Sequence, residues 1–323
     1  MRVKINNSNR LVEIIKTLTG ESLVNPINGV TTDSRICESG DLYIALKGVR
    51  SDGHQFINEV ENKNASVALV NKLSKNEELK IKQILVDDTK ETLGLIANAW
   101  RKNFDIPVIA ITGSNGKTST KELLNHVLND KYNVHATQGN YNTSIGLPLS
   151  LLEMDKYHDI SIIEMGANQP GDIQYLCNIA DPTHGLITNI SSAHLEGFQS
   201  VENILETKCA LFNYLHKGTA YVNYADERLR SLIIKGEKIT YGLDEECDFP
   251  ADIHHDDDGS IVLTIDSREI KTKSKNLSFA KNIIAVSAVS ITLGLGWDWL
   301  QERILTFKPP KGRCRILNYK SIT

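Results

Sequence analysis

A chain of 323 residues with 41% apolar and 24% charged residues has the composition of a globular protein large enough for two or three domains. Its net charge of −4 and pI near 6.2 exclude the basic face of a nucleic-acid binder, and no apolar run reaches the roughly 18 residues that membrane insertion needs. The opening Met1-Arg2-Val3-Lys4-Ile5-Asn6-Asn7 has no secretory core. The five cysteines are dispersed and never form a C-x-x-C pair, so reduced thiols and a cytoplasmic location are expected.

The pattern starts as α/β. Leu11, Ile14, Ile15 and Leu18 share one helical face. Ser39-Gly40 turns into a strand over 41–46, Phe56 to Lys63 is helical in spacing, and the segments 65–70 and 84–86 read as two further buried strands. Asp87-Asp88-Thr89 is placed to cap a helix from Lys90 to Lys102, and a domain boundary is set near Asp87. Beyond it strands and helices alternate, as in a parallel sheet covered by helices. Strands are expected at 108–112, 160–164, 186–190 and 220–222, and helices at 119–128, 201–215, 226–233 and 280–293. Over 251–273 the period changes. Ile261, Leu263 and Ile265 alternate beside the turn Asp258-Gly259, which fits an antiparallel meander. The expected fold class is α/β, with a small N-terminal α/β domain (1–87) followed by a mostly parallel-sheet, phosphate-loop ATPase domain carrying the meander (88–312).

One segment carries strong local chemistry. Thr112-Gly113-Ser114-Asn115-Gly116-Lys117-Thr118 leaves a strand and opens a helix, where small residues let backbone N–H groups close on phosphate and the helix dipole favours anions. Lys117 is positioned to reach the β- and γ-phosphates and Thr118 to ligate Mg²⁺. The common G-x-x-x-x-G-K-[ST] pattern has its first glycine where this chain has Ile111. Glu164 ends a strand at the sheet edge where ligands bind in open α/β folds; it is either a Mg²⁺ ligand or a capping or solvated carboxylate. His194 reads by itself as a structural or exposed loop histidine, and Lys208 by pattern alone as a solvated helix residue. In His254-His255-Asp256-Asp257-Asp258 neighbouring side chains on a strand point to opposite faces, so a solvated turn is expected rather than a metal site. Trp297 and Trp299 read as packing around a helix start.

Several segments in order resemble the Mur ligase family. They are Thr31-Thr32-Asp33-Ser34-Arg35, Gly40 through Gly48, Asp52-Gly53-His54-Gln55-Phe56-Ile57, Thr112 through Glu122, and Gly139-Asn140-Tyr141-Asn142-Thr143-Ser144-Ile145-Gly146-Leu147-Pro148. Glu164-Met165-Gly166-Ala167-Asn168 and Ala193-His194-Leu195-Glu196-Gly197-Phe198 complete the set, which spans 28–215. The forms around Asp52-Gly53-His54 and Gly139-Asn140-Tyr141-Asn142 are similar to the branch that adds D-alanyl-D-alanine to a UDP-muramoyl-tripeptide.

The resemblance implies ATP and Mg²⁺ as cofactors, with Gly113, Ser114, Asn115, Gly116, Lys117, Thr118 and Ser119 around the ATP phosphates. It implies Thr118, Glu164 and His194 at the metal, and Lys117, His194 and Lys208 as catalytic, Lys208 matching a lysine that many family members carbamylate. Asp33, Ser34, Arg35, Asn140 and Asn142 would receive the UDP-substrate. The family's adenine-side motif is His-Asn with a second Asn after two intervening residues; Lys281-Asn282-Ile283-Ile284-Ala285 keeps Asn282 alone. The implied reaction is acyl phosphate formation followed by attack of the D-alanyl-D-alanine amine, with small-molecule substrates as partners, no nucleic acid, no membrane insertion, and a monomer expected. Family members carry a third domain beginning about where this chain stops. The segment 313–323 is therefore expected to be a stub, with little ligation by the chain as it stands. A ligase for another amino-acid acceptor and a non-catalytic two-domain nucleotide-binding protein are the alternatives.

Overall fold

The computed structural model describes residues 1–309, apart from Arg50, Ala193 and His194, and the backbone alone at Leu195 and Glu196. The expected stub at 313–323 lies outside the described residues. Two compact units form. The first takes in Met1–Ile106, Thr137–His158 and Tyr175–Asp181; the second takes in Pro107–Ala136, Asp159–Gln174 and the chain from Pro182 onward. The α/β class expected from the sequence is realised in both.

In the first unit, strands β1 (Arg2–Lys4), β2 (Gly29–Thr31), β3 (Asp41–Ile44), β4 (Val67–Val70) and β5 (Lys82–Leu85) lie side by side in sequence order. Only the β1–β2 pairing is antiparallel. Every residue of β3 and β4 is buried, as the unbroken apolar runs of doubly covered parallel strands require. The helix Ser8–Thr19 turns Leu11, Ile14 and Ile15 inward. Its N-terminus is capped by the Asn7 side chain, which accepts from the Arg10 N–H, and it ends at Gly20 in the left-handed region. Asp88 caps the helix Thr89–Arg101 as expected, accepting from the Lys90 and Glu91 N–H groups. That helix packs on Ser8–Thr19 and on a helix at Gly146–Leu151. The three-residue strands β1 and β2 escape pattern reading because they are too short to show a period. A half-buried ion pair holds their edge: Arg2 Nε and Nη2 each donate to Asp41 at 2.8 Å, and Asp41 is fully buried.

Among the described residues the second unit holds nine strands: β6 (Val108–Thr112), β7 (Val134–Ala136), β8 (Ile160–Glu164), β9 (His184–Ile187), β10 (Thr219–Asn223), β11 (Glu237–Gly242), β12 (Phe249–His255), β13 (Ile261–Ile265) and β14 (Arg268–Lys271). Their spatial order is β14-β13-β12-β11-β10-β9-β6-β8-β7. The pairings from β7 to β12 are parallel, and β12, β13 and β14 form the expected antiparallel meander. β6 and β8 are buried at every residue, whereas β13 alternates, the contrast between a covered and a half-solvated strand. The helix Leu277–Thr292 is buried at almost every position from Phe279 to Ser290 and packs on the helix Lys117–Leu128 and on β11 and β13. Trp297 and Trp299 do open a helix, Trp297–Thr306, and Trp299 Nε1 donates to the Val127 carbonyl at 2.9 Å. The expected helix over 226–233 shortens to Glu227–Arg230. Among the described residues no helix is long and apolar enough to cross a membrane.

Candidate functional site

Strand β6 lies between β8 and β9, so successive connections leave it in opposite directions and a crevice opens at the strand ends. The glycine loop fills that edge. Gly113 has φ 141° and Gly116 φ 84°, both in the region that favours glycine. Space is equally limiting at Gly113, where a Cβ would fall 2.0 Å from Thr188 Oγ1. The loop is clasped by the segment after β9. Ser114 N donates to the Asn189 carbonyl at 2.9 Å, Thr188 Oγ1 to the Asn115 carbonyl at 2.5 Å, and Ser114 Oγ to the Ser191 carbonyl at 3.0 Å. Ile111 is a fully buried member of β6, so the strand continues through the position where the common pattern begins its loop.

From Lys117 the chain is helical, with its first-turn N–H groups at the sheet edge, an arrangement suited to anions. Lys117 Nζ donates to the Gly113 carbonyl at 2.7 Å and to that of Ser114 at 3.2 Å. Thr118 Oγ1 donates to Glu164 Oε1 at 3.2 Å, and Glu164 is buried at the end of β8. A hydroxyl and a carboxylate side by side are hard oxygen donors of the kind Mg²⁺ takes, with water and phosphate completing its shell. Among the described residues no group of three or more His, Cys, Asp and Glu side chains could hold a metal. His194 lies outside the described residues.

Lys208, on the helix Val201–Tyr214, departs from its pattern-based reading: it is 3% exposed. Burial, together with the charge of Lys117, lowers its ammonium to about 8.

Beside the loop a cavity of about 730 Å³ is lined by Asn115, Gly116 and Ser119 on one side and by Asn223, Asp226 and Tyr241 on another. The helix Leu277–Thr292 contributes Ser278, Lys281, Asn282 and Ala285, spaced i, i+3, i+4, i+7 along one face. Asp226 braces this wall by accepting from the Ile190 N–H at 2.7 Å and the Arg228 N–H at 3.1 Å. Sequence reading missed Thr188, Asn189, Asp226 and Tyr241. The position of Thr188 at the end of an expected strand was the available signal.

The substrate residues expected near the N-terminus belong to the first unit. Asp33 caps the short 3₁₀ turn Ser34–Ile36, and the Arg35 guanidinium at 2.7 Å holds its carboxyl down at about 2. Ser34 is buried and its hydroxyl donates to Glu59 at 2.9 Å, whereas Arg35 is exposed. Asn140 and Asn142 share a tight turn, with Asn142 N donating to the Asn140 carbonyl at 2.8 Å.

Comparison with known proteins gives a consistent result. The family profile described as Mur ligase middle domain matches residues 111–290, and that described as Mur ligase family, catalytic domain, matches 26–101. The UDP-N-acetylmuramoyl-tripeptide–D-alanyl-D-alanine ligase of Synechocystis is 39% identical over 293 residues, covering 90% of this chain and 63% of that protein. The structure of MurF from Acinetobacter baumannii superposes with a TM-score of 0.86 at 28% identity, covering 95% of this chain and 70% of that one. MurF ligase from Thermotoga maritima, solved in complex with ADP, gives 0.81 at 32% identity, with 90% and 68% covered. The chain spans less than two thirds of the length of the curated relatives it matches.

Proposed function

We propose, since this chain belongs to the Mur ligase family, that it is the part of an ATP-dependent amide ligase that binds ATP and the UDP-linked substrate, and that the whole protein adds D-alanyl-D-alanine to UDP-N-acetylmuramoyl-tripeptide in peptidoglycan precursor synthesis. The observation that carries this reading is the clasped glycine loop, with Thr118 and Glu164 3.2 Å apart at the strand edge where the phosphates would end. Likeness to the named relatives supplies the substrates. UDP-substrate binding is assigned to the region 1–87 with Asn140 and Asn142, and ATP binding to 88–312. A cytoplasmic location and action as a monomer belong to the same proposal.

In this reading Gly113 to Ser119 hold the triphosphate through backbone N–H groups and the helix dipole. Lys117 exchanges the carbonyls of Gly113 and Ser114 for phosphate oxygens, placing positive charge where the transferring phosphoryl group gathers negative charge. Thr118 and Glu164, with His194, would hold Mg²⁺, which when bound neutralises phosphate charge. Lys208, with its lowered ammonium, keeps a neutral amine fraction near pH 8, the form that carbamylation requires. The terminal carboxylate of the tripeptide takes the γ-phosphoryl group; the amine of the dipeptide then attacks the acyl carbon and phosphate leaves. Protein groups contribute chiefly alignment of the two reactants and charge compensation.

Calorimetric titration of the 323-residue chain with ADP, with and without Mg²⁺, tests the nucleotide site. Binding strengthened by Mg²⁺ and lost in Lys117→Met is expected. Absence of nucleotide binding in the unsubstituted chain would refute the assignment.

A further inference from the structure

Asparagine followed by glycine is the pair most prone to lose its side-chain amide in water, because the glycine nitrogen, with no Cβ beside it, reaches the preceding side chain unhindered. The chain holds two such pairs, Asn28-Gly29 and Asn115-Gly116, and the fold treats them differently. Asn28-Gly29 enters β2, which lies between β1 and β3, and the buried Gly29 is in register with Lys4 on one side and Asp41 on the other. Asn28 donates its N–H to the Gly40 carbonyl and accepts from the Ile5 N–H, each at 2.9 Å. Freeing this pair means drawing an inner strand out of a sheet.

Asn115 is exposed in the glycine loop. Its N–H donates to Asn189 Oδ1 at 3.2 Å, its carbonyl accepts from Thr188 Oγ1 and Asn189 Nδ2, and its own Nδ2 donates to Ser191 Oγ at 2.9 Å. These partners all lie in the segment 188–191, so release of that segment alone frees the pair. Local opening of a loop requires far less free energy than extraction of a core strand. Gly116 is also the N-cap of the helix Lys117–Leu128, and the positive end of a helix favours negative charge. The Gly116 nitrogen must carry such charge when it attacks. The field that suits phosphate therefore suits this side reaction, and a phosphate bound there would block it.

We propose that Asn115 is a site of spontaneous deamidation, held in check by the Ser191 contact and by bound nucleotide, and that its conversion ends phosphate binding. The Gly116 nitrogen gives up its proton to water and bonds to Asn115 Cγ, and the amide nitrogen leaves with a proton as ammonia. Water then opens the cyclic imide at either carbonyl, leaving aspartate or isoaspartate. Both products place a carboxylate among the N–H groups that phosphate needs, and isoaspartate also lengthens the main chain of the loop. The loss of binding rests on the phosphate-loop reading above; the lability of Asn115 does not.

Incubation of the unsubstituted chain at mildly alkaline pH, with and without ADP and Mg²⁺, followed by peptide mass mapping and isoaspartate labelling, tests the proposal. Without nucleotide, Asn115 is expected to convert at least about tenfold faster than Asn28, and ADP-binding capacity should fall in step. Bound ADP should slow the conversion, and Ser191→Ala should quicken it. Equal rates at the two pairs would overturn the proposal, as would an Asn115 that stays intact while an unfolded peptide of the same loop converts. A rate indifferent to bound ADP or to Ser191→Ala would overturn the two brakes. A chain that binds no ADP from the outset would refute the phosphate-loop reading instead, and the nucleotide-free rates would still decide whether Asn115 is the labile pair.

Discussion

Replacing Gly113 by alanine tests the clasp on the phosphate loop directly. The new Cβ would fall 2.0 Å from Thr188 Oγ1 and 3.0 Å from the Thr188 backbone nitrogen, at a φ of 141°. Neither contact can give way easily. Thr188 is buried, its hydroxyl holds the Asn115 carbonyl at 2.5 Å, and its nitrogen pairs with the Thr112 carbonyl at 3.0 Å. Backbone strain at such a position costs about 1–3 kcal/mol, and forcing an extra methyl group into packed surroundings costs about 1–3 kcal/mol more. A combined loss of about 2–6 kcal/mol is comparable with the whole stability of a marginal domain, about 5–15 kcal/mol. Two other glycines grade the effect. Gly116→Ala meets only the movable end of Asn282 at 3.0 Å, and Gly20→Ala meets nothing within 4 Å, so both should lose chiefly the left-handed backbone penalty of about 1–2 kcal/mol. Urea denaturation of the three variants should rank Gly113→Ala well below the others, and ADP titration should show at least tenfold weaker binding for it. Gly113→Ala with unchanged midpoint and unchanged ADP affinity would refute the argument that the segment after β9 clasps the loop.

The Arg2–Asp41 pair should be expensive to break. Asp41→Ala leaves the Arg2 guanidinium only the exposed Glu38 carboxylate at 3.1 Å and takes the acceptor from the Glu38 N–H, and a loss of about 1–3 kcal/mol is expected in urea denaturation. Lys208 opposes folding as pH falls. Its ammonium is lowered from 10.5 to about 8, so the unfolded chain binds the extra proton between these values and stability contributed at high pH is lost on descent to pH 8. Lys208→Met should therefore be more stable than the parent at pH 7.5 and show a flatter stability profile between pH 8 and 10.5, as denaturation at several pH values will reveal. His126, on the helix Lys117–Leu128, is held below its ordinary 6.5 by burial and by Arg303. The unfolded chain takes up that proton first, so stability should decline as pH falls below 6.5, and the decline should lessen in His126→Gln.

Local chemistry made the glycine loop legible, because seven consecutive residues carry both its bends and its charges. The elements around it were legible where a period had room to repeat. β6 and β8 read correctly as strands alternating with helices, and the meander as an alternation of apolar and polar residues. β11 escaped because it opens with the exposed Glu237 and Lys238, which look like loop. Lys208 was read as solvated because a polar residue among Glu206 and Thr207 carries no sign of what packs over it. Thr188, Asp226 and Tyr241 are distant in sequence, and only the order β11-β10-β9-β6 brings their strand ends to one edge. That order is a property of the folded sheet, and no window of sequence contains it.

The interleaving of the two units along the chain has a consequence for biosynthesis. A ribosome releasing this polypeptide delivers β6 and the helix after it before the first unit has received Gly146–Leu151, the helix that packs on Thr89–Arg101. Leu147, Leu149 and Leu151, all buried in the finished fold, arrive late, so the nascent segment 1–106 waits with an uncovered apolar face. An expression fragment ending at residue 106 would retain that exposed face permanently. Self-association of such a fragment is the expected penalty for cutting the gene where the first unit's leading segment ends.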